Sequence, residues 1–327
     1  ALGWILGIAV ALFLIALLFG LAETTETTPA LTFTESIAPN AAGERKILSK
    51  NAPVILKVDI VGNIGDENLT TDMIETLLIE SREGTLKNDR VKAILLNINT
   101  PGGTVIDADG IYRALKRYKA QFHVPVYAFV DGMCASGGMY VACAADKIYS
   151  TNVSLIGSVG VLIPSYFNVV ELLSKIGVKT LSISAGKGKD DLNPVRPWND
   201  TEGKDIEQLV DYYYQYFINI VTEARPKISK KDLLEVYGAH VFPATQAVEY
   251  GFIDKANSSY SDTLTALLSE IGIDDDYYQV IELGHENWLK SLFTTKSAIF
   301  TGEIKHSIDY NGISSKLMNQ YLYLYKP

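Results

Sequence analysis

The sequence predicts an α/β fold of parallel βαβ units preceded by one N-terminal transmembrane helix, and three observations predict it. Residues 1–22 carry no charged side chain. From Val54 onward, short β-rich apolar runs alternate with amphipathic stretches at helical spacing, the pattern of βα units. One of these runs, Val91–Ile98, is almost continuously apolar, as a parallel strand covered on both faces must be.

At about 1.5 Å per residue, a helix over residues 1–22 spans about 33 Å, enough for a hydrocarbon core of about 30 Å. It is longer than the apolar region of a cleavable signal peptide, so the expectation is a retained signal anchor in membrane lipid. Residues 23–52 are rich in Thr, Glu, Ala and Pro, with no Lys or Arg before Arg45. That composition predicts a tether, and a cation-poor flank predicts that the body of the protein lies on the non-cytoplasmic side.

The elements follow in order. Val54–Val61 reads as a strand, and Thr71–Glu83 as a helix with Met73, Ile74, Leu77 and Leu78 on one face. Strand Val91–Ile98 ends sharply at Thr100-Pro101-Gly102-Gly103. Val105–Tyr118 is the next helix and Val124–Val130 the next strand. Ser136–Ala145 is a short helix of small residues. Ile148–Ser150 and Val159–Ile163 read as strands, Tyr166–Ile176 as a helix, and Val178–Ser184 as a strand that delivers the loop Gly186-Lys187-Gly188-Lys189. A long amphipathic helix over Asp200–Ala224 opens with a capping arrangement of Asn199 and Glu202 and stops at Pro226. Lys230–Tyr237 and Ala244–Tyr250 are two short helices around Val241-Phe242-Pro243.

Past Asn257 the pattern weakens into an appendix. Its end, Tyr321–Tyr325, alternates like a strand that needs a partner, either on its own domain or on a neighbouring subunit. The expected organisation is an anchor at 1–22, a tether at 23–52, a main domain at 53–256 and an appendix at 257–327.

Composition removes several function classes. The chain has 327 residues, 47% of them hydrophobic, enough for a buried core. A net charge of −9 with no Lys/Arg run argues against a nucleic-acid partner. The four histidines lack metal-ligand spacing, so no metal is expected. Cys134 and Cys143 read as two small buried thiols rather than a disulfide framework.

Three short motifs carry chemistry. Ser136, in Ala135-Ser136-Gly137-Gly138, opens a predicted helix after a predicted strand, where a serine is either a plain N-cap or a nucleophile. Gly102 and Gly103 sit at the carboxyl end of a parallel strand, where open α/β sheets place their sites, and either make a tight turn or bare an N–H for an oxyanion. Lys189 is either a solvated lysine or a base in place of histidine, and Lys187 is its rival.

These residues, with Ala144-Ala145-Asp146-Lys147-Ile148, Gly157-Ser158-Val159-Gly160-Val161, Gly188-Lys189-Asp190 and Asn193-Pro194, resemble the SppA-type signal peptide peptidases over about Pro53–Lys255, in their short single-domain form. The resemblance implies a spiral of parallel βαβ units like that of the Clp protease and crotonase families. It implies a Ser–Lys dyad of Ser136 and Lys189, with Ser158 orienting the lysine amine and Gly103 and Gly137 supplying oxyanion N–H groups. No cofactor is implied. The expected function is a membrane-anchored serine endopeptidase that cleaves signal peptide remnants or other apolar peptides and forms a homo-oligomer. The alternatives are a crotonase-type acyl-CoA hydratase or isomerase, which would use the same pair of N–H groups, and a catalytically inactive membrane scaffold.

Overall fold

The computed structural model describes residues 33–66, 68–285 and 321–325. The expected anchor at 1–22 lies outside the described residues, and among these no helix is long and apolar enough to cross a membrane.

Strands β1 (Phe33–Ala38), β2 (Val54–Val61), β3 (Val91–Thr100), β5 (Val126–Ala135), β6 (Lys147–Ser150), β7 (Leu155–Gly157), β8 (Val241–Pro243) and β9 (Gln279–His285) form one sheet. Its order is β1-β9-β2-β3-β5-β7-β8, with β6 also on β5. Pairing is parallel from β9 through β2, β3 and β5 to β6 and β7, with antiparallel strands at both ends. Helices α1 (Thr71–Glu80) and α2 (Val105–Phe122) are the crossovers that join β2 to β3 and β3 to β5.

Alternation along the strands separates two cores. Leu56, Val58, Ile60, Ile94, Leu96 and Ile98 face one core, with the apolar sides of α1 and α2. Ile55, Ala93, Leu95, Tyr127 and Phe129 face the other, against Leu264, Leu267 and Leu268 of helix α7 (Tyr260–Glu270). Both faces of β3 are therefore covered, which is why its sequence is almost continuously apolar.

β5 is the strand that positions the site. Its first half pairs with β6 at Tyr127–Val130, and its second half pairs with β7 at Met133–Ala135. The register against β3 shifts between Ile98 and Thr100. That irregularity falls between Val130 and Cys134 of β5, just before Ser136.

Several expectations need correction. Within the range expected as tether, Phe33–Ala38 is an edge strand, and within the expected appendix, Gln279–His285 enters the main sheet between β1 and β2. The sequence hides this because the two segments pair across more than 200 residues. Val178–Ser184 forms no strand: it has no partner strand among the described residues, and Leu181 and Ile183 are exposed at 85% and 89%. Among the described residues Val159–Ile163 keeps only one bridge, from Leu162 to Leu322, and the strand lies earlier, at Leu155–Gly157. Helix α4 shrinks to Val170–Lys175.

Helix α5 begins at Lys204 rather than Asp200 and runs to Ala224, because Gly203 turns the chain at φ +85°. Past it, Lys230–Asp232 leads into a π turn over Leu233–Tyr237, and helix α6 spans Ala244–Tyr250.

The tail strand docks on its own chain. β10 (Leu322–Leu324) pairs antiparallel with β4 (Gly102–Thr104), and Tyr323 is fully buried.

Candidate active site

β3 delivers the chain to Thr100, whose hydroxyl accepts a hydrogen bond from the Gly102 N–H at 3.0 Å. Gly102 has φ +102°, a conformation that favours glycine. Ile64 N–H then donates to Gly102 O at 2.8 Å, and Thr104 N–H donates to Ile64 O at 2.9 Å. This one-sided pairing turns the N–H and C=O of Gly103 away from Ile64 and toward β10.

β5 delivers the second part. Ser136 follows it at φ +55° and ψ −116°, and helix α3 (Gly137–Ala142) starts at the next residue. Positive φ is strained for a serine, and a strained strand-to-helix turn is how a nucleophile elbow presents a hydroxyl. Two backbone bonds hold the strain: Ser136 N–H donates to Gly157 O at 2.8 Å, and Tyr140 N–H donates to Ser136 O at 3.0 Å. The Ser136 side chain does not cap the helix, which disposes of the plain N-cap alternative.

The two glycine segments converge. A Cβ built on Gly137 would lie 3.2 Å from Gly103 N, and one built on Gly102 would lie 2.7 Å from Gly137 N. Gly137 N–H is among the first of its helix and has no intrahelical acceptor. Two N–H groups beside a serine at a strained turn can stabilise a developing oxyanion, the arrangement used in acyl transfer.

Ser158 joins the same cluster. It also has positive φ, +55°, and its N–H donates to His240 O at 2.7 Å. The preceding Gly157 carbonyl is the acceptor for Ser136 N–H, so both serines hang from one short backbone segment.

Lys189 is placed differently. It lies on an exposed loop, its N–H donating to Gly186 O at 3.2 Å, and Lys187 beside it is exposed too. Among the described residues neither ammonium group has an ion pair or hydrogen bond, so no hydrogen bond joins Lys189 to Ser136 there.

The base of that loop is organised by a network the sequence reading missed. Arg196 pairs with Asp190 at 2.6 Å and with Glu202 at 2.7 Å, and Glu202 also accepts from Leu192 N–H at 2.7 Å. Hydrogen bonding from Arg196 holds the Glu202 carboxyl down at about 2. Glu202 does accept from Asn199 N–H, at 3.1 Å, but this closes a turn upstream of α5 instead of capping it. The available signal was an arginine six residues from each of two acids.

The two thiols are buried and unbonded to each other. Burial pushes Cys143 up to about 12 and Cys134 further up, so both thiols stay protonated near neutral pH.

Two protein families match the chain. NfeD1b, N-terminal domain, matches residues 72–165, and Peptidase family S49 matches residues 119–273, which contain Ser136, Ser158 and Lys189. A Synechocystis sp. protein provisionally named a protease is 30% identical over 192 residues, 59% of this chain and 68% of that protein. The chain belongs to peptidase family S49.

Other S49-like relatives match over shorter shares of their length. An Enterococcus faecium protein provisionally named signal peptide peptidase SppA is 32% identical over 185 residues, so this chain spans 53% of it. Protease 4 of Salmonella typhi is 25% identical over 240 residues, 72% of this chain and 37% of that protein. Among solved structures, a point mutant of ClpP1 from Listeria monocytogenes matches at 17% identity and TM-score 0.41, covering 64% of this chain and 94% of that one. At that score, the α/β fold of this S49 chain rests on the sheet topology described above.

Proposed function

We propose that this chain is a serine endopeptidase in which Ser136 attacks a peptide carbonyl held by the N–H groups of Gly103 and Gly137. The observation that carries the reading is the strained turn at Ser136, with both glycine segments converging beside it. Attack would give an acyl-enzyme, and water would then release the product. Membership of the S49 family supports the same class of reaction.

Lys189 is the proposed general base, taking the Ser136 proton and passing it to the leaving amine, with Ser158 orienting the amine. Its loop is exposed, so the dyad needs a neighbour or a movement that brings the loop over Ser136. The segment carrying it supports a homo-oligomer: Phe167, Leu172, Ile176, Leu181 and Ile183 are all exposed, an apolar surface that a second copy would cover. Apolar peptides such as cleaved signal peptides are the proposed substrates, and residues 1–22 the proposed anchor in membrane lipid, with the catalytic body on the non-cytoplasmic side.

A serine-directed fluorophosphonate probe tests this. It should label the wild-type chain at Ser136 and leave Ser136→Ala unlabelled; equal labelling of both would place the nucleophile elsewhere.

A further inference from the structure

The loop between α1 and β3 ends where β2, β3 and β9 begin. Val54 N–H donates to Arg90 O at 2.8 Å and Gln279 N–H donates to Pro53 O at 2.9 Å, so the three strands start side by side. Thr100 and the glycine pair lie at the other end of β3, whose ten residues span about 30 Å. The loop lines a cavity of about 680 Å³, within the usual size of a ligand site. Among the described residues its wall carries Lys50, Lys87 and Arg90, with the amides of Asn51 and Asn88, and no Asp or Glu. Three cations on one wall run against a chain of net charge −9.

Arg90 is more than nine-tenths buried, 8% exposed. Its Nε donates to Ala52 O at 3.1 Å, Nη1 to Thr85 O at 2.6 Å and Nη2 to Gln279 Oε1 at 3.4 Å. Gln279 is held for this by its own Nε2, which donates to Lys46 O at 3.1 Å. These acceptors are all neutral and use three of the five guanidinium N–H groups. A buried charge is ordinarily paired. Among the described residues no carboxylate meets Arg90. The acids near the loop are engaged elsewhere: Asp89 pairs with Arg82 at 3.4 Å, Glu35 accepts from the Thr85 hydroxyl, and Glu83 lines a groove between α1 and α2. Lys50 and Lys87 are exposed, and neither ammonium group has an ion pair or hydrogen bond among the described residues.

We propose that this cavity binds a phosphate group bearing at most one ester bond, either free in solution or at the headgroup of a lipid. Arg90 offers its two unused N–H groups to phosphate oxygens, and the two lysines add charge around the same group. A carboxylate brings a single charge and two oxygens to three cations and two amides. A phosphate of this kind brings about −1.5 to −2 and three acceptor oxygens, which match the wall better. The bound anion completes the pairing that the fold leaves open at Arg90. The proposal is independent of the Ser136 reading, since the cavity lies at the opposite end of the parallel strands.

The test is isothermal titration calorimetry of the full chain, held in a neutral maltoside detergent, with inorganic phosphate and with acetate as the carboxylate control. Phosphate should bind at one site per chain, about tenfold or more tighter than acetate. Lys50→Ala/Lys87→Ala should weaken phosphate binding at least about tenfold, since two charged contacts are lost. Lys50→Arg/Lys87→Arg should retain it, and neither pair should change the melting temperature measured without phosphate, because both side chains are exposed. Arg90 is left unchanged in this series, because its three bonds also hold the loop. Ser136→Ala should bind as the wild type does.

A second titration, with nanodiscs present, separates the two sources. If discs of phosphatidylcholine carrying phosphatidic acid suppress phosphate binding and discs of phosphatidylcholine alone do not, the group belongs to a lipid headgroup. If neither suppresses it, the ligand is free phosphate. The absence of saturable phosphate binding, acetate binding as tightly, or a folded Lys50→Ala/Lys87→Ala chain that binds like the wild type overturns the proposal.

Discussion

Replacing Gly102 with alanine perturbs the site at one atom, and its effects on folding and on turnover are separable. The added Cβ would fall 1.8 Å from Tyr323 O and 2.7 Å from Gly137 N, both main-chain atoms that cannot rotate away. The φ of +102° adds strain of about 1–3 kcal/mol for a non-glycine residue. Domains typically hold about 5–15 kcal/mol of stability, so the variant should still fold. Its Tm should fall by a few degrees, at about 2–4 °C per kcal/mol. Turnover should suffer far more. A substrate carbonyl placed like that of Tyr323 would be kept from the Gly103 and Gly137 N–H groups, and loss of a single oxyanion donor costs about 10²–10³ in kcat. Calorimetry with peptide hydrolysis on one preparation separates the two effects. A folded Gly102→Ala protein with near wild-type kcat/KM would refute the placement of the oxyanion hole.

Three further outcomes are expected. Lys189→Arg should be as inactive in peptide hydrolysis as Lys189→Ala, because a guanidinium stays protonated, while Lys187→Ala keeps its activity; the reverse pattern would move the base two residues upstream. Arg196→Ala should expose the 186–202 segment to limited proteolysis. Because the folded Glu202 value lies below its ordinary one, the support it gives is present above about pH 4.5 and lost as pH falls toward about 2, so acid should mimic the substitution in the same assay. Native protein at pH 8 should resist iodoacetamide at Cys134 and Cys143 and react fully once denatured, as read by intact mass, and Cys134→Ala should retain hydrolysis.

The central elements were legible because their sequence signals are local. Val54–Val61 and Ala244–Tyr250 have the bounds the apolar pattern predicts, and β3 extends its predicted run by two residues. The serine turn and the glycine pair were legible as candidates, since small residues at a strand end have few roles. The segments that went astray depend on distant partners. Phe33–Ala38 and Gln279–His285 are strands because each lies beside the other, and no window of sequence contains both. Val178–Ser184 shows the converse: a strand-like pattern stays irregular where no described strand pairs with it. The ring cluster of Tyr140, Phe217 and Tyr323 was illegible for the same reason, because its three members come from distant segments. The Asn199–Glu202 pair was recognised as a motif, but Arg196 claims the carboxylate.

The most direct test of the account is the identity of the acylated residue. After brief incubation with the fluorophosphonate probe, digestion and tandem mass spectrometry should find the adduct on Ser136. The Ser136→Ala protein, with an unchanged melting curve, should carry no adduct and cut no peptide. An adduct on Ser158 or any other residue, or peptide cleavage by folded Ser136→Ala, would contradict the account.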